Sequence, residues 1–116
     1  MEDDEHLAPM MESFLETNSF QVTTVSNGVE GLRKIMESDF DVILCDMVMP
    51  TLPGDMFYRA VERTKPRLCK RFVFMTGHAA DPKWDSFIRK VHGVMIWKPF
   101  ELHELMERIG SVLKNA

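Results

Sequence analysis

Apolar positions along this 116-residue chain fall into two kinds of pattern. Three runs are short and continuous: Val42-Ile43-Leu44-Cys45, Phe72-Val73-Phe74-Met75 and Val94-Met95-Ile96-Trp97. Runs that are apolar on both alternate sets of positions fit strands of a parallel sheet covered by helices on both faces. The other positions recur at helical spacing. Leu7, Met10, Met11, Phe14 and Leu15 predict a first amphipathic helix, ended by Asn18-Ser19. Asn27 with Glu30 three residues on forms a capping-box signal that opens a helix through Leu32, Ile35 and Met36. Met56, Phe57, Ala60 and Val61 mark a third helix, closed before Pro66. Asp81-Pro82 starts a fourth, carrying Trp84, Phe87, Ile88 and Val91 and stopped by Gly93. Leu102, Leu105, Met106, Ile109 and Leu113 line the last. Residues 21–26 are β-branched with partial alternation and suit a strand at a sheet edge.

Strands alternating with helices define an α/β class with a parallel sheet. Each continuous run ends in one reactive residue: Asp46, Thr76 and Lys98. In such a sheet, ligands bind in the crevice beyond the carboxyl ends of the strands. An acid, a hydroxyl and an amine therefore meet at one rim, and Glu2-Asp3 at the head of the chain adds further carboxylates. That set suits phosphoryl transfer to an aspartate.

The length fits one domain, residues 1–116. A net charge of −4 with mixed signs argues against nucleic-acid binding, which needs a basic stripe. No apolar run has the length of a membrane span, and the acidic N-terminus is unlike a signal peptide, so a cytoplasmic domain without membrane contact is expected. Cys45 and Cys69 form no CxxC, which excludes a disulfide framework or a zinc site of that type. The ten methionines are spread through helices and strands as core filling.

Over essentially its whole length the chain resembles the receiver domain of two-component response regulators. The matching residues are Glu2-Asp3, then Asp46-Met47-Val48-Met49-Pro50 with Gly54, then Thr76-Gly77 and Lys98-Pro99-Phe100. Each motif alone is weak, and their joint order and placement after apolar runs is strong. The resemblance implies a flavodoxin-like, doubly wound parallel sheet of order 2-1-3-4-5, with the site at the switch point between strands 1 and 3. Asp46 would be the phosphoacceptor, attacking the phosphorus of a phosphohistidine to give an acyl phosphate. Clustered carboxylates raise one another's pKa, and Mg²⁺ relieves that repulsion with carboxylate, water and phosphate oxygens around it. Asp3 and Asp46 are the direct metal ligands expected, with Glu2 acting through water; by resemblance the Val48 backbone carbonyl adds another. Thr76 and Lys98 would each hold one phosphoryl oxygen. The resemblance also implies a cis Lys98-Pro99 peptide, and His78, two residues after Thr76, stands at a position within range of the expected phosphoryl pocket. The expected partner is a sensor histidine kinase or a phosphotransfer domain, and the expected role is to switch or relay a signal through self-catalysed phosphoryl acceptance.

Two features depart from the family. The first strand is truncated or missing, since only Met1 precedes the acid pair. In the implied topology that strand is central, so a short first strand, a filled slot, pairing of strands 2 and 3, or a homodimer through the incomplete sheet is expected. A start upstream of Met1 is a further expectation. The second departure is Met95, where many receivers carry a Tyr or Phe that moves as the Thr hydroxyl engages phosphate. Two rival functions follow from other classes: a receiver-like protein-binding scaffold that takes no phosphate, and a Mg²⁺-dependent aspartyl phosphatase. The phosphatase is disfavoured because Val48 stands where an Asp-x-Asp pair is usual and no residues remain for a cap domain. A stand-alone receiver, the receiver of a hybrid histidine kinase and that of a multidomain regulator are the three contexts; the Met-Thr-Gly-His and Trp-Lys-Pro-Phe strings look most like hybrid-kinase receivers.

Overall fold

Each of the three continuous apolar runs is a strand in the computed structural model, which describes residues 7–47, 52–77 and 82–115. The strands are β1 (Ile43–Asp46), β2 (Phe72–Gly77) and β3 (Val94–Lys98). Both neighbouring pairs are parallel and the order is β1-β2-β3. The helices are α1 (Leu7–Thr17), α2 (Gly28–Glu37), α3 (Gly54–Thr64), α4 (Pro82–Lys90) and α5 (Leu102–Asn115), with a 3₁₀ helix at Pro66–Arg71. None of the described helices is long and apolar enough to cross a membrane.

The period of two along β2 divides the core. Phe72 and Phe74 face one side, packing with Ile43, Cys45, Phe57, Tyr58, Val61 and Ile88. Val73 and Met75 face the other, packing with Met11, Leu15, Ile96, Leu105, Ile109 and Val112. Thus α1 and α5 cover one face while α2, α3 and α4 cover the other, the two-sided burial that the continuous runs require. On the second side Phe72 and Phe74 stack at 5.2 Å between ring centroids. Tyr58 and Phe87 meet Phe74 at 5.8 Å in tilted and edge geometry.

Local signals act as the residues require. The Asn27 side chain accepts a 2.9 Å hydrogen bond from the Glu30 N–H, which satisfies one orphan donor at the start of α2. After α1 the left-handed turn falls on Ser19, at φ 71°. After α4 it falls on His92, at φ 56°, rather than on the glycine that follows. Gly93 is needed for space: a Cβ there would lie 2.6 Å from Cε2 of Phe74.

Residues 21–26 differ from the strand their pattern predicts. They form no strand, with a bend at Ser26-Asn27, and make no backbone–backbone hydrogen bond among the described residues. A strand exists only with a neighbour, and β propensity alone supplies none. Between this segment and β1 lies a cavity of about 800 Å³, lined by Met11, Leu15, Val22, Val42, Leu44 and Ile109 among others. The sheet is therefore not closed by pairing residues 21–26 with β1. The first strand implied by the resemblance falls on residues outside the described ones.

Because Phe74 is fully buried at the junction of β2, α3 and α4, Phe74→Ala is expected to destabilise the fold by about 3–5 kcal/mol. Urea unfolding should show this as a lower midpoint at unchanged slope.

Candidate functional site

Parallel strands in register end on one side of the sheet. Asp46 pairs with Met75, one residue before Thr76, and Lys98 pairs with Gly77, one residue after it. The rim thus carries a carboxylate on β1, a hydroxyl on β2 and an amine on β3. Two strand spacings, about 10 Å, separate the backbones of β1 and β3. The four-carbon stem of Lys98 crosses that gap, and its Nζ stands 2.5 Å from Oδ2 of Asp46.

Burial makes this contact consequential. Asp46 is 6% exposed and Thr76 is 3% exposed. An ionised carboxylate so withdrawn from water needs a charged or hydrogen-bonding partner, which Lys98 provides. The Thr76 hydroxyl is buried and accepts or donates no hydrogen bond among the described residues. A buried hydroxyl in that state costs about 1–3 kcal/mol and is the kind of group a bound oxyanion satisfies.

The backbone around Asp46 is held by close packing. The Met47 N–H donates to the Met75 carbonyl at 3.0 Å, and the Gly54 N–H donates to the Met47 carbonyl at 3.1 Å. A Cβ on Gly54 would lie 2.9 Å from both the Asp46 carbonyl oxygen and the Met47 Cα, so only glycine lets α3 begin this close to the acid-bearing strand end. The Lys98-Pro99 peptide is cis.

Of the residues singled out in the sequence, Asp46, Thr76 and Lys98 come together at this rim. Glu2, Asp3, Val48 and His78 lie outside the described residues. No group of three or more His, Cys, Asp or Glu that could hold a metal occurs among the described residues. The Asp46 carboxylate is a hard oxygen donor of the type Mg²⁺ prefers, and it is the described part of the expected ligand set. Met95 is half-buried and packs toward the Phe72–Phe74 side of the core; its carbonyl accepts a 3.0 Å hydrogen bond from Nε of Arg108 on α5. Sequence reasoning missed that tie between β3 and α5, because a side chain reaching a strand carbonyl leaves no local pattern.

The chain is similar to known proteins throughout. The family model described as "Response regulator receiver domain" matches residues 1–110, and the chain belongs to that family. It is 30% identical to the response regulator receiver protein CpdR of Brucella abortus, over 99% of this chain and 94% of that one. It is also 30% identical to the uncharacterised transcriptional regulatory protein YkoG of Bacillus subtilis, of which it spans 50%. Among solved structures, the Vibrio cholerae chemotaxis protein CheY4 superposes with a TM-score of 0.84 at 26% identity, covering 97% of this chain and 93% of that one. The signal receiver domain of a signal transduction histidine kinase from Syntrophus aciditrophicus gives a TM-score of 0.85 at 24% identity, covering 100% and 88%. The fold is thus the α/β receiver fold.

Directly before Asp46, the Cys45 thiol is fully buried, and burial pushes its pKa up to about 12. Cys45 is therefore expected to resist thiol reagents in the native state while the half-exposed Cys69 reacts. A DTNB titration should count one reactive thiol under native conditions and two in denaturant.

Proposed function

We propose that residues 1–116 form a single receiver domain that accepts a phosphoryl group on Asp46 from a phosphohistidine. The observation that carries this reading is the reach of Lys98 across β2 to Asp46 beside an unpartnered, buried Thr76 hydroxyl. In the transfer, an Asp46 carboxylate oxygen forms the O–P bond while the P–N bond to the donor imidazole breaks, and the imidazole nitrogen keeps the electron pair and takes up a proton. Lys98 balances charge on one phosphoryl oxygen as its ammonium moves from carboxylate to phosphate, and the Thr76 hydroxyl donates to another. These roles are positioning and electrostatic, which is what phosphoryl transfer chiefly asks of a protein.

Mg²⁺ would be held by Asp46, Asp3 and the Val48 carbonyl, with Glu2 through water. When bound, the ion neutralises the carboxylates and the incoming phosphoryl charge. The sheet reads as strands 3, 4 and 5 of a 2-1-3-4-5 order, with residues 21–26 in the place of strand 2. The donor partner is a sensor histidine kinase or phosphotransfer domain, and the setting is cytoplasmic, with neither nucleic acid nor membrane contacted by this domain. The domain's chemistry is self-catalysed acceptance rather than turnover of a substrate. Met95 in place of an aromatic points to output through a different surface or to relay of the phosphoryl group, since the ring whose inward movement would report phosphorylation is absent.

Intact mass after incubation with acetyl phosphate and Mg²⁺ should rise by one phosphoryl group in the wild type and stay unchanged in Asp46→Asn. A wild type that takes up no phosphoryl group would instead support the binding-scaffold reading.

Mg²⁺ should also raise the melting temperature. If it binds the native state alone, a concentration of about a hundred times the dissociation constant adds roughly 2.7 kcal/mol. Asp46→Asn should lose most of that increment in a thermal melt with and without the ion.

A further inference from the structure

The segment 21–26 is unusual in what it lacks. Thirteen consecutive residues, 17–29, carry no Asp, Glu, Lys, Arg or His, in a chain that is 28% Asp, Glu, Lys and Arg. Residues 18–27 contain neither Gly nor Pro. Within the segment Val22 and Val25 are half-buried, whereas Gln21, Thr23 and Thr24 are exposed. Its backbone makes no backbone–backbone hydrogen bond among the described residues, and the cavity of about 800 Å³ separates it from β1. Exposed strands in natural proteins are ordinarily blunted by lysine, proline or a bulge, and this one carries none of the first two.

We propose that a second copy of this chain covers the segment, residues 21–25 of the two copies pairing antiparallel about a two-fold axis near Thr23. Antiparallel pairing needs no crossover connection, so two separate chains can make it. A two-fold axis at Thr23 places that residue opposite its own twin, with Val22 opposite Thr24 and Gln21 opposite Val25 of the second copy. Any charge close to the axis would then meet a like charge, which is destabilising in a cross-strand pair. The charge-free stretch removes that penalty, whereas a partner of opposite charge would call for the reverse. Threonine opposite threonine is among the favourable cross-strand pairs. Backbone groups on the side turned away from β1 would gain partners, and β-branched residues, which have few side-chain rotamers to lose, suit such pairing.

Sedimentation velocity across a concentration series tests the proposal on the full chain. The wild type should show a reversible monomer–dimer equilibrium. Because Thr23 is exposed, Thr23→Lys and Thr23→Glu should keep the wild-type circular dichroism and melting temperature, yet each should dimerise about fivefold or more weakly through like-charge repulsion. An equimolar mixture of the two variants should recover dimer, since Lys then meets Glu. A wild type that stays monomeric at every concentration, a dimer indifferent to Thr23→Lys, or a mixture as weak as its components would each overturn the proposal.

Discussion

Everything in this fold hangs on β2. Its residues Phe72, Val73, Phe74 and Met75 are at most 2% exposed, and among the described residues it is the strand paired on both sides. A strand so enclosed must be apolar at every position until it leaves the sheet, and the first polar side chain it presents is Thr76. Because β1 and β3 run parallel to it in fixed register, they end beside it. The approach of Asp46, Thr76 and Lys98 is therefore a consequence of sheet geometry rather than of a specially shaped loop. Breaking the packing of β2 would dissolve the site along with the two cores.

The electrostatics of the rim follow from the same burial. One carboxylate and one ammonium leave bulk water together, and each offsets the desolvation of the other. Cys45, one residue earlier, points into the core, and burial holds its thiol neutral. Adjacent residues on one strand thus have opposite fates because alternate side chains face opposite surroundings. The Thr76 hydroxyl has no hydrogen-bond partner among the described residues, a cost that a bound oxygen ligand would remove.

Most of this was legible in the residues. The continuous runs at 42–45, 72–75 and 94–97 gave the strands almost to the residue, because burial on both faces leaves no other pattern. The Asn27 cap and the reactive residues at the strand ends could be read for the same reason: each is a local signal with one physical use. Other features were not legible. The stop after α4 was assigned to Gly93, but His92 takes the left-handed conformation while Gly93 makes room for the Phe74 ring, a contact between residues 19 apart in the chain. The 3₁₀ helix at Pro66–Arg71 and the Arg108–Met95 tie likewise depend on tertiary neighbours. Residues 21–26 read as a strand from composition, yet strand status depends on a partner that composition cannot reveal.

The two flanks of the sheet are managed differently. On the β3 side, Arg108 from α5 donates to the Met95 carbonyl, and Lys98 places a charge at the strand's end. Both devices make that flank a poor template for another strand. On the other flank, residues 21–26 have neither a charge nor a proline, and their backbone makes no backbone–backbone hydrogen bond among the described residues. The same α/β scaffold therefore protects the edge next to the rim's cation and leaves the opposite margin uncharged. Association through the open edge would add strands at the sheet's far margin, remote from Lys98, so that dimerisation and phosphoryl chemistry need not compete for the same surface.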